Sequence, residues 1–100
     1  MHNKHVWTER TPEREKREVR ATKFGGIWRI QSKLRDDPDW TYHEPPLMDD
    51  LITLRDVLFR KYQRRRAAYE EVVQIEKMIL DRGGHWEEGE AGETDGDDAP

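Results

Sequence analysis

The stretch from Leu47 to Leu80, LMDDLITLRDVLFRKYQRRRAAYEEVVQIEKMIL, decides how the rest of the chain is organised. Its residues advance by about 100° each on a helical wheel. The first half then gathers Leu47, Leu51, Leu54, Leu58 and Tyr62 on one flank of an apolar arc, with Met48, Ile52 and Phe59 on the other. The arc is about 160° wide, which suits a helix with one face in a core. Asp49, Thr53, Asp56 and Arg60 occupy the opposite side. Pro45 and Pro46 stand just ahead, where the first amides lack helical acceptors in any case. Asp49 and Asp50 place negative charge at the positive end of the helix dipole. The second half repeats the pattern. Ala68, Val72, Ile75 and Ile79 form one flank, and Tyr69, Val73 and Leu80 the other. Glu70 and Glu71 open this helix, Arg82 lies at its end, and Gly83-Gly84 suits a left-handed C-cap.

Each arc holds one charged intruder, Arg55 in the first and Glu76 in the second. Antiparallel packing that opposes the two puts the turn at 65–66, inside the cluster Arg60-Lys61-Tyr62-Gln63-Arg64-Arg65-Arg66. The same register sets Tyr62 against Tyr69 and Phe59 against Val72. The expectation is therefore an αα-hairpin with Arg55 and Glu76 as a partly buried structural ion pair. Such a pair fixes register more than it adds stability, because desolvation offsets much of the Coulomb gain. The competing arrangement lets both side chains run along the apolar rim to water. A competing topology is one unbroken helix, since no Gly or Pro interrupts residues 60–68. Against it, that segment has almost no apolar seam.

Upstream, from Glu18, the period falls to two. Alternating residues flank Gly25-Gly26, the composition of a two-residue hairpin turn that needs positive φ. With Phe24 opposite Ile27, one face collects Val19, Ala21, Trp28, Ile30 and Leu34. The other collects Arg20, Thr22, Phe24, Ile27, Arg29, Gln31 and Lys33. Asp36-Asp37-Pro38-Asp39 makes a second turn, and Trp40-Thr41-Tyr42 reads as a third strand. The predicted fold is α+β: an antiparallel hairpin or meander of two to three strands packed on the αα-hairpin, over residues 18–82. Residues 1–17 read as a flexible charged arm in which Thr11-Pro12-Glu13 can open a short helix; Trp7 is its one docking residue. Residues 83–100, with five of the seven glycines, read as a disordered acidic tail.

The net charge of −4 hides an asymmetry. Residues 83–100 hold seven carboxylates and no Lys or Arg; the other 82 residues hold all 18 basic groups and 15 of the 22 acids, a net of +3. Hydrophobic content of 33% against 40% charged fits a small core with polar flanks. With no cysteine, disulfides and thiolate metal sites are excluded. No apolar run approaches the ~20 residues of a membrane span, and the expected setting is cytoplasmic.

Catalytic constellations are missing from this pattern. Ser32 is the only serine and has no sequence cue of an activating base. His2, His5, His43 and His85 show no ligand spacing beyond His2-x-x-His5, and the Asp36–Asp39 turn matches no calcium loop. No enzyme activity, metal or cofactor is expected. The strongest signal is cationic: Arg60, Lys61, Arg64, Arg65 and Arg66 at the hairpin tip, and Arg20, Arg29 and Lys33 sharing a sheet face with Phe24. Cations around an exposed aromatic can follow phosphates while a base stacks. DNA or RNA is the first of two expected partners, and the acidic tail reads as a competitor for the basic tip, as the occupant of a basic patch on a partner protein, or as a solubilising segment. The second reading is an adaptor or accessory subunit that meets a partner protein, or itself, through Trp7, Phe24 or the helices. The bland reading, a solvated helix end beside a favourable dipole, accounts for the tip alone.

Overall fold

The computed structural model describes residues 4–86. Four strands, β1 (Lys4–Arg10), β2 (Lys16–Phe24), β3 (Ile27–Leu34) and β4 (Thr41–His43), precede two helices, α1 (Met48–Gln63) and α2 (Tyr69–Asp81). The chain is α+β. Its sheet is an antiparallel meander in the order β1-β2-β3-β4. The sheet has four strands rather than two or three, because residues read as a mobile arm supply β1. The segment His5-Val6-Trp7-Thr8 is dense in β-branched and aromatic residues, which suit a pleated surface. Its partner β2 begins at Lys16, two residues before the expected start. Pro12 belongs to a turn between strands and opens no helix: the Arg14 amide donates to the Thr11 carbonyl at 2.8 Å. Pro12 thus takes the second turn position, where its fixed φ fits.

The β2–β3 register pairs Phe24 with Ile27 and Arg17 with Leu34. Gly25 and Gly26 both have positive φ, 59° and 79°, as a primed two-residue turn requires. One sheet face, which carries Trp7, Val19, Ala21, Trp28, Ile30 and Ser32, is mostly buried. The other carries the cations described below.

The chain divides into two compact units, one ending at Asp50 and one beginning at Leu51. In the second, Leu51, Leu54, Leu58, Val72, Ile75 and Ile79 are fully buried, whereas Tyr62, Tyr69, Val73 and Leu80, which the wheel also places in the apolar arcs, are exposed, so the buried stripe of each helix is narrower than its arc. The Arg55 Nε donates to the Glu76 carboxylate at 2.9 Å, and the Tyr62 and Tyr69 rings lie 5.0 Å apart. The helices therefore reverse at 64–68. The stop is a Schellman motif, with the Arg66 amide donating to the Lys61 carbonyl and the Arg65 amide to that of Tyr62. Arg65 takes the left-handed position, φ 61°, that glycine usually fills. A second Schellman motif ends α2, where Gly84 donates to Ile79 and Gly83 to Leu80 with Gly83 at φ 82°.

Beyond that cap the described residues run to Trp86. The Trp86 ring lies 5.2 Å from the Arg55 guanidinium, which also sits 4.7 Å from the Phe59 ring. The acidic tail expected over residues 83–100 lies outside the described residues from 87 onward, and that part holds all seven tail carboxylates. No helix among the described residues is long and apolar enough to cross a membrane.

Candidate nucleic-acid interface

The β-strand period of two, once β1 joins the sheet, sorts charge sharply between its faces. Register places Lys4, Arg10, Lys16, Arg20, Arg29 and Lys33 on one face with a single carboxylate, Glu18. The same face shows Phe24, Ile27, Tyr42 and Val6, which are 81%, 61%, 59% and 52% exposed. Arg20, Phe24, Arg29 and Lys33 are therefore together, as the alternation predicts. Trp40, just before β4, covers Arg20: the guanidinium carbon lies 4.2 Å from the indole centroid. This contact holds the guanidinium against the ring, and the Arg20 Nε is buried with no hydrogen-bond partner. Gln31, between its register partners Arg20 and Tyr42, is buried in the middle of this face.

Cations on the other face are treated differently. Arg17 sends Nη1 and Nη2 to the two oxygens of Asp50, each at 2.9 Å. Its Nη1 also reaches Glu9 at 2.7 Å, and its Nη2 reaches the Ser32 hydroxyl at 3.2 Å. Hydrogen bonding to Asp50, which outweighs the opposing effect of burial, raises the Arg17 pKa above its ordinary value. Asp50 is only 2% exposed, so the fork supplies the counter-charge and donors that a buried carboxylate requires. This cation is consumed by the fold.

The network continues to His43, whose Nε2 lies 2.7 Å from the Ser32 Oγ. Serine and histidine at that distance are the beginning of a nucleophilic pair, and sequence separation conceals it. Two features assign the contact to structure. Ser32 is buried, and its oxygen already accepts a hydrogen bond from Arg17. A cavity of about 190 Å³ is lined by Trp28, Tyr42, His43 and Pro46, but Ser32 does not reach it. Among the described residues no group of three His, Cys, Asp or Glu side chains is placed to hold a metal ion.

The second predicted cluster lies in the helical unit. Arg60, Arg64, Arg65 and Arg66 are exposed and Lys61 is half-buried, all in the last turn of α1 and the following bend. Four residues that matter to the sheet face are not apparent from sequence: Lys4, Arg10 and Lys16 fall in the expected arm, and Tyr42 reads only as part of a strand. The pleat of β1, with Lys4, Val6, Thr8 and Arg10 alternating against His5, Trp7 and Glu9, is the signal for the first two, and the alternation of β2 carried back from Glu18 is the signal for Lys16.

Comparison of the chain with protein-family models, with curated proteins and with solved structures finds no match to any of them.

Proposed function

We propose that this protein is a non-enzymatic binder of single-stranded nucleic acid, acting in the cytoplasm, with the cationic sheet face as its contact surface. The observation that carries the reading is the composition of that face: six cations against one carboxylate, around exposed Phe24, Ile27 and Tyr42. Phosphates supply affinity through the cations, and bases stack on the aromatic rings with little sequence preference. Exposed aromatic rings set among cations on a sheet suit splayed bases better than a duplex. Arg60, Lys61, Arg64, Arg65 and Arg66 give the helical unit a cationic cluster of its own, suited to the same class of ligand.

Replacing Phe24 and Tyr42 together by alanine tests the stacking. Each stacked base contributes about 1–3 kcal/mol, so affinity for an oligothymidylate should fall by at least tenfold while its salt dependence stays the same. Unchanged affinity in this variant contradicts the proposal.

One observation favours a protein partner instead. Tyr69, Val73 and Leu80 are half-exposed or more and recur at helical spacing along α2. Under this second reading the helical unit is an adaptor surface, and a complex made through it survives high salt.

A further inference from the structure

The cationic face ends in a depression of about 500 Å³ lined by Arg10, Lys16, Glu18, Lys33 and Arg35. We infer that this depression receives a terminal phosphate monoester of the nucleic-acid strand; the inference rests on the reading of the sheet face above and assigns one end of the strand to one end of the sheet.

Three observations lead there. First, the cations are brought together by backbone pairing, against their own repulsion. Arg10 and Lys16 are direct cross-strand partners, and like charges in that relation are destabilising. The Arg35 amide donates to the Lys16 carbonyl at 3.1 Å, which brings a third cation to the same place. Second, these charges are left unneutralised. Lys16, Lys33 and Arg35 form no ion pair among the described residues, whereas Arg17 one strand position away is saturated by Asp50 and Glu9. Third, the neighbouring turn holds one more arginine in a conformation arginine seldom takes. Arg14 has φ 69°, and its carbonyl accepts the Arg10 Nη1 at 3.1 Å. Arg10, Arg14, Lys16 and Arg35 also line an adjoining hollow, together with Glu15 and Asp36. Strain of this kind persists where the surroundings hold it, and it concentrates at binding sites.

The charge count selects the ligand. A phosphodiester within a strand carries one negative charge, while a terminal monoester carries about 1.5–2 near neutrality. Four cations facing one carboxylate match the latter. Position agrees. Lys16 and Phe24 are the first and last residues of β2, about 26 Å apart at ~3.3 Å per residue. A strand whose bases stack on Phe24 and Tyr42 arrives at the depression with its end.

The test uses the full chain and three fluorescent oligothymidylates of about ten nucleotides, one with a 5′-phosphate, one with a 3′-phosphate and one with hydroxyls at both ends. One phosphorylated form should bind about tenfold more tightly than the hydroxyl form, the worth of an added charge-assisted contact. The Arg35→Ala variant, which leaves all six cations of the sheet face in place, should lose most of that preference and still bind the hydroxyl form, which also shows that it is folded. Equal binding of all three by the native protein overturns the terminal site and leaves the sheet-face reading standing. A preference that persists in the variant overturns the assignment to this depression. No binding by any of the three at low salt overturns both.

Discussion

Arg55 and Glu76 meet at 2.9 Å with the arginine 1% exposed and the glutamate 17% exposed, and their contact fixes which turn of α1 faces which turn of α2. The buried guanidinium lies near the Phe59 and Trp86 rings, and the Glu76 carboxylate supplies much of its counter-charge. Glu76→Ala should therefore destabilise the protein by about 3 kcal/mol, the lower end of the range for a broken buried pair. Asp56, 3.4 Å from Arg55, retains part of the compensation. The double variant Arg55→Met/Glu76→Leu should be near neutral in urea denaturation, since apolar replacement removes both desolvation penalties. A double variant as unstable as Glu76→Ala would show that the pair is more than a register device.

Arg17→Ala should cost about 3–5 kcal/mol, because it leaves the Asp50 carboxylate buried without its donors. Arg17→Lys should recover little of the loss. One ammonium cannot reproduce a fork that reaches both Asp50 oxygens, Glu9 and Ser32. Thermal or urea denaturation of the two variants checks the order.

Arg14 and Arg65 are the two non-glycine residues with positive φ among the described residues, and both lie within cationic clusters. Glycine at either position removes a steric penalty of about 1–2 kcal/mol, partly offset by its freedom in the unfolded chain. Arg14→Gly and Arg65→Gly should each stabilise by about 0.5–1 kcal/mol while weakening nucleic-acid binding. Stabilisation with undiminished binding would make these two arginines passengers.

Truncation after Trp86 removes seven carboxylates and no cations, so the formal charge changes from −4 to +3. Binding to a single strand should tighten as the competing polyanion is lost. Cutting after His85 instead also removes Trp86 from Arg55 while keeping the Gly83-Gly84 cap, and should lower stability by about 0.5–2 kcal/mol. Comparing the two truncations by denaturation and by oligonucleotide titration separates the tail's charge from the tryptophan's packing.

Much of the architecture was legible because its determinants are local. Gly25-Gly26 admits one tight hairpin, and that hairpin sorts Val19, Ala21 and Ile30 to one face and Arg20, Phe24 and Arg29 to the other. Opposing Arg55 to Glu76 was enough to place the helical turn. What stayed hidden was non-local or locally unfavourable. Trp7 becomes a strand residue through pairing with Val19, while Lys4, Glu9 and Arg10 at the ends of its segment suggest solvent. The break in the helices carries no glycine signal, because Arg65 adopts the glycine conformation itself. The Ser32–His43 contact joins neighbouring strands across the Asp36–Asp39 turn, and nothing in either residue's surroundings announces it.

The most direct measurement is the affinity of the full chain for a single-stranded oligonucleotide as a function of salt. Neutralising about six phosphates predicts a slope of about −4 in log K against log salt, at ~0.7 per contact. Replacing Arg20, Arg29 and Lys33 by alanine should bring the slope to about −2. Binding with no salt dependence, or a slope that these three substitutions leave in place, would contradict the assignment of the cationic sheet face as the contact surface.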